Sequence, residues 1–152
     1  EIEKNQNFKH MLTGMKHLHS TLAVILLLAL VISIVITAVN YFKANPYNRK
    51  IALIGFISAH LQLLIGLIIY FVSPLGIKSF SGENMSNSLS RLYFLEHPLI
   101  MIIAIVLITV GYIKAKKATL DYAANKTVFI TYTIALILIL TRIPWSTWSI
   151  LN

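Results

Sequence analysis

The chain has 152 residues, 57% of them hydrophobic and 12% charged, with a mean hydropathy of +0.78; that balance lies outside the range of water-soluble domains and points to a lipid bilayer as solvent. Cysteine is absent, which excludes disulfides, thiolate metal sites, iron–sulfur clusters, covalent c-type haem and thiol nucleophiles. The net charge of +8 is gathered at the ends of apolar runs, where it marks membrane topology rather than a nucleic-acid surface.

A helix needs about 20 mostly apolar residues to cross the hydrocarbon, so this length allows roughly four spans with short connections and no separate soluble domain. Residues 1–14 are polar and lack the apolar core of a leader peptide, so they read as an N-terminal tail or an artificial extension ahead of a membrane domain over 15–152. The first span covers about 18–41 and holds no charge. A polar turn from Lys43 to Lys50 leads to a second span over about 51–72, closed by Ser73, Pro74 and Gly76. The Ser- and Asn-rich connection Ile77–Ser90 reads as a loop or short surface helix, the segment best placed to act as a lid. A third span covers about 92–113 and ends in Lys114, Lys116 and Lys117. A fourth covers about 128–143, beside the interface anchors Trp145 and Trp148. No internal repeat is evident.

The expectation is an all-α, four-transmembrane-helix bundle with both termini on the same side. Seven Lys and Arg then lie on the side of the first and third connections, against six on the terminal side. The positive-inside rule tilts both termini to the outside of a bacterial inner membrane.

Ionisable groups inside a membrane are costly, so each histidine near a span is a functional candidate. At 1.5 Å per residue, His19 and His97 lie level, about 5 to 8 Å inside the terminal boundary, whereas His60 lies about 10 Å deeper. His19 shares a helical stripe with Ser33 and Thr37, His97 with Ala104, Gly111 and Ala115, and Arg142 with Thr131 and Ala135. These stripes read as bundle-facing. Pro98 favours a first helical turn, which would make His97 a helix cap rather than an inward side chain. Gln62, on a face with Gly55, Ala59 and Gly66, reads as packing with one interhelical hydrogen bond. Glu96 reads as a proton acceptor for an imidazole or a counter-charge for Arg91.

Haem b suits such an interior, because facing imidazoles ligate iron in an apolar slot and cations near one surface neutralise the propionates. By depth, His19 and His97 form the axial pair, with Arg91 and Arg142 as propionate partners. His60 is a third metal-ligand candidate, or a site for a second redox group, a quinone or a proton. The plainer reading of the same residues is solvated interface histidines, a structural hydrogen bond at His60 and snorkelling arginines.

The stretches Leu18–Ser20, Ala59–Gly66, Phe94–Pro98 and Ile143–Trp145 resemble small bacterial four-helix membrane proteins labelled cytochrome b-like, over about residues 15 to 145. The resemblance implies haem binding through His19, His60 and His97. No helix carries the widely spaced histidine pair that ligates two stacked haems in larger membrane cytochromes, so one haem is expected.

The leading reading is a membrane b-type haem protein that transfers electrons between quinol and a respiratory partner. The alternatives are a cofactor-free accessory subunit or assembly factor of a larger complex, or a homo-oligomer in that role, and a small proton-linked transporter or channel using His60.

Overall fold

In the computed structural model, which describes residues 2–148, the described chain is helical without strands, and four helices are long and apolar enough to cross a membrane. They are α1 (Ile2–Phe42), α2 (Arg49–Val72), α3 (Ser88–Lys117) and α4 (Asp121–Thr141). Neighbours pack as a ring, α1 on α2, α2 on α3, α3 on α4 and α4 back on α1. The fold is therefore a four-helix bundle compatible with a multi-pass membrane protein.

The starts of two helices differ most from the sequence expectation. The polar residues 2–14 are not a separate tail but the first turns of α1, which at 41 residues is about 60 Å long and extends well past the hydrocarbon. Nothing in that stretch breaks a helix, since it has no proline and its Glu, Lys and Gln are good helix formers. Helix α4 starts at Asp121, seven residues before the apolar run at Val128, and Asp121 complements the positive helix start. Between α2 and α3, the chain makes a turn at Ile77–Ser79 and a short helix at Gly82–Ser86, capped by Ser81. Asn87 then caps the start of α3 through its side chain.

Apolar residues cover the outside, among them Leu28, Val35, Ile54, Leu64, Val106 and Ile137, all exposed as lipid contact requires. Inside, small residues bring the helices together: Ala52, Ala59, Ala104 and Ala135 are fully buried. Hydroxyls have no water to bond there, so Thr37, Thr109, Thr127, Thr131 and Thr133 donate to the carbonyl four residues earlier. Two interhelical bonds fix the register of the half nearer the first connection. Ser33 donates to the Ile51 carbonyl at 2.8 Å, and the fully buried Tyr132 reaches across the bundle to the Ala52 carbonyl at 2.7 Å. That connection is tied to α4, with the Tyr47 backbone N–H on Asp121 at 3.0 Å and the fully buried Asn125 donating to the Asn45 carbonyl at 3.1 Å.

At Gly111 on α3 a Cβ would overlap the Thr131 side chain of α4. Thr131 is itself held by its 2.8 Å bond to the Thr127 carbonyl and has little room to yield. Gly111→Ala is therefore expected to destabilise the bundle by about 1–3 kcal/mol, the usual cost of overpacking. Adding Thr131→Ala should restore most of that loss. Thermal unfolding in detergent, followed by circular dichroism, reads both.

Candidate functional site

The starts of α1 and α3 and the ends of α2 and α4 meet at one end of the bundle around a cavity of about 300 Å³. Its walls are chiefly apolar, including Leu26, Leu63, Met101 and Ile105, with a cluster of polar side chains from three helices. Lys16, His19 and Ser20 come from α1, Gln62 and Tyr70 from α2, and Tyr93 and His97 from α3. Residues three or four apart on a helix share a face, which is why Lys16, His19, Ser20 and Ala23 line it together.

His19 and His97 face each other across this space, with ring centroids 6.3 Å apart and planes at 74°. The two rings, expected at equal depth from the rise per residue, thus meet across the bundle from helices that are not neighbours in the ring. The stripes below His19 and His97 face inward as expected, with Ser33, Thr37, Ala104, Gly111 and Ala115 all buried, whereas of the third stripe Ala135 is buried, Thr131 half-buried and Arg142 exposed.

His97 is not a cap. It lies within a continuous α3, directly after a π-helical turn at Leu92–Glu96. Proline accounts for that turn, because its ring crowds the carbonyl four residues back and it has no N–H to give. The carbonyl left without its α-helical donor is that of Phe94, and Tyr70 on α2 donates its hydroxyl to it at 3.1 Å. The His97 ring is held in turn by the Arg142 carbonyl, 2.8 Å from Nδ1. A carbonyl only accepts, so Nδ1 carries the hydrogen and the neutral ring keeps its lone pair on Nε2.

His19 is held differently. The Gln62 amide donates to the His19 carbonyl at 3.0 Å, and the same nitrogen lies 3.3 Å from His19 Nε2. With Nε2 accepting, the hydrogen of the neutral ring sits on Nδ1. Both His19 Nδ1 and Gln62 Oε1 are buried with no hydrogen-bond partner among the described residues. Gly66 leaves the ring its place, since a Cβ there would come within 3.1 Å of His19 Cε1.

The remaining sequence candidates lie elsewhere. His60 is outside the cavity; its Nδ1 donates to the Phe56 carbonyl at 2.8 Å, its Nε2 lies 3.4 Å from the Thr109 hydroxyl, and its ring packs on Phe56. That is the structural hydrogen bond between neighbouring helices that the sequence also allowed. Arg91 and Arg142 do not line the cavity either. Both bind Glu96, at 2.7 and 3.3 Å, beside a separate open hollow. The cation at the cavity is Lys16. His17 is exposed.

Sequence reasoning gave Gln62 only packing and one interhelical hydrogen bond, and it passed over Tyr70 and Lys16. Gln62 is the only Gln or Asn inside the second span, a signal that identifies a buried amide but not the histidine 43 positions away that it meets. No protein-family model, curated protein or solved structure matches the chain.

Tyr70→Phe should cost about 1–3 kcal/mol of stability, because it strands the buried Phe94 carbonyl. In a Pro98→Ala background, where residue 98 regains its N–H, the same change should cost much less. A double-mutant cycle on unfolding in detergent measures the difference.

Proposed function

We propose that the protein is a membrane-embedded b-type haem protein that passes electrons between quinol and a respiratory partner, with His19 and His97 as the residues that would hold the haem. The observation that carries this reading is the approach of two imidazoles from α1 and α3 at 6.3 Å within an apolar cavity. His19 and His97 would be the residues that hold such a group, each presenting an imidazole from its own helix to the same cavity. Among the described residues, no group of three or more His, Asp or Glu side chains is placed to hold a metal.

The local hydrogen bonds support the same assignment. His97 donates its Nδ1–H to a backbone carbonyl, the outer-shell arrangement that fixes a ligating histidine and leaves Nε2 for the metal. His19 would offer Nε2 by giving up the 3.3 Å contact from Gln62, whose bond to the His19 carbonyl does not depend on that nitrogen. Lys16, rather than Arg91 or Arg142, is the cation placed to meet a propionate. When bound, haem supplies one-electron chemistry; the chain supplies the slot, the ligands and the exclusion of water. The setting we propose is a bacterial inner membrane with both chain ends outside.

A second reading has its own observation in its favour. The orphaned His19 Nδ1–H and Gln62 Oε1 are a donor and an acceptor on two residues that line the cavity, and a quinol hydroxyl or quinone carbonyl is complementary to such groups. On that reading the cavity holds the quinone headgroup itself.

Protein purified from haem-replete cells should show a Soret band and a reduced-minus-oxidised α-band. His19→Ala and His97→Ala should each weaken haem retention by more than the roughly 10- to 100-fold that loss of an outer-shell partner costs. His60→Ala should retain it. A colourless wild-type protein would overturn the haem assignment, and a quinone in its organic extract, lost in Gln62→Leu, would then favour the second reading.

A further inference from the structure

We propose that Glu96 is a positioning residue for His97: by holding the Arg142 side chain, it keeps the Arg142 carbonyl where it captures His97 Nδ1–H and leaves the ring's lone pair on Nε2. The inference rests on the reading of His97 as the residue that presents a nitrogen to a ligand, and it concerns what sets that nitrogen. The two arginines expected to clamp a ligand become, with Glu96, the frame that sets the tautomer of a histidine.

Arg142 is the C-terminal cap of α4, with a non-helical backbone (φ −129°, ψ 18°). Its carbonyl is among those a helix end leaves without an intrahelical donor. His97 fills that gap at 2.8 Å, so one bond satisfies a stranded carbonyl and fixes a tautomer. The side chain of the same arginine is gripped by the residue next to His97, since Arg142 Nε lies 3.3 Å from Glu96 Oε2. Consecutive residues on a helix point about 100° apart. Glu96 and His97 therefore reach Arg142 from two directions, one taking its guanidinium and the other its backbone.

Glu96 is in turn braced. Its Oε1 accepts from Arg91 Nε at 2.7 Å, and Arg91 Nη1 donates to the Met85 carbonyl at 2.8 Å, which ties the carboxylate to the short helix Gly82–Ser86. Both carboxylate oxygens are thus committed. The side chains of Arg91, Arg142 and Glu96 are 37%, 45% and 29% exposed, and ion pairs that open to solvent add little stability. What this one supplies is geometry: it locks the end of α4 to the start of the histidine-bearing segment. Without it, the Ile143–Pro144 turn is free to carry the carbonyl away from Nδ1.

The test reads imidazole ¹⁵N shifts in haem-free protein in detergent micelles, with the His97 signals assigned by their loss in His97→Gln. Wild type should show His97 as the Nδ1–H tautomer. Glu96→Ala and Arg142→Ala, which keeps the backbone carbonyl, should each shift the tautomer ratio toward Nε2–H by about threefold to tenfold, the range that loss of one ordered hydrogen bond allows. The double variant should shift it no further than either single one, and the shape-preserving Glu96→Gln should fall between wild type and Glu96→Ala. His60, held by bonds of its own on α2, should keep its signature and so reports that the bundle is intact. A His97 signature unchanged in Glu96→Ala, Glu96→Gln and Arg142→Ala overturns the proposal. Because the measurement uses haem-free protein, a wild type that fails to bind haem would sink the haem reading and leave this result standing.

Discussion

A carbonyl or N–H inside a bilayer has no water to bond, so each one that a helix leaves open must be met by another part of the chain. Two such openings decide the geometry of this protein. Pro98 withholds the N–H that the Phe94 carbonyl would receive, and the end of α4 leaves the Arg142 carbonyl without its helical donor. The first is met by Tyr70 from α2 and the second by His97 itself. Both repairs converge on the same turn of α3, so the backbone at His97 and the ring it carries are located by neighbouring helices rather than by α3 alone. A histidine that repairs a helix end in this way has one nitrogen spoken for, and its other nitrogen is defined by exclusion.

The same constraint explains why the cavity lies at one end of the bundle. Toward the first connection, alanines and Gly111 let the helices approach, and Tyr132 crosses the core to bond the Ala52 carbonyl. Beside it, Phe56 stacks on Tyr112 with centroids 4.6 Å apart. Large side chains and close backbones fill that half. Toward the other end, the π-turn before Pro98 and the absence of a side chain at Gly66 leave room around the two histidines.

The features that the sequence displayed were those fixed by periodicity and rise. The four apolar runs, the equal depth of His19 and His97, and the small-residue stripes below them follow from 1.5 Å and about 100° per residue. Features set by lateral contact were not legible. Nothing in a linear pattern says that the amide of Gln62 meets a histidine 43 positions away. Nor does it say that Arg142 turns to Glu96 and leaves Lys16 nearest the cavity. His60 shows the converse case. Its depth marked it as costly, but its nitrogens are met by Phe56, one turn earlier on its own helix, and by Thr109 on α3. Depth shows that a buried ring needs a partner without showing which one it finds. The N-terminal turns of α1 were obscured for another reason: hydropathy reports where a helix leaves the membrane, not where it stops being a helix.

The two histidines of the site are unequal, and this bears on how a ligand would enter. His97 is bonded to backbone at the end of α4, and shifting its ring means shifting a helix end that is also pinned through Arg142 and Glu96. His19 leans on the amide of Gln62 through a longer contact, 3.3 Å against 2.8 Å, and the two residues leave a donor and an acceptor unmet. Charge-free hydrogen bonds of poor length are weak, whereas an unsatisfied polar atom in an apolar cavity is costly. Both differences favour movement on the α1 side. The ring on α3 is thus the more firmly held of the two, and the α1–α2 seam carries the contacts that would cost least to exchange.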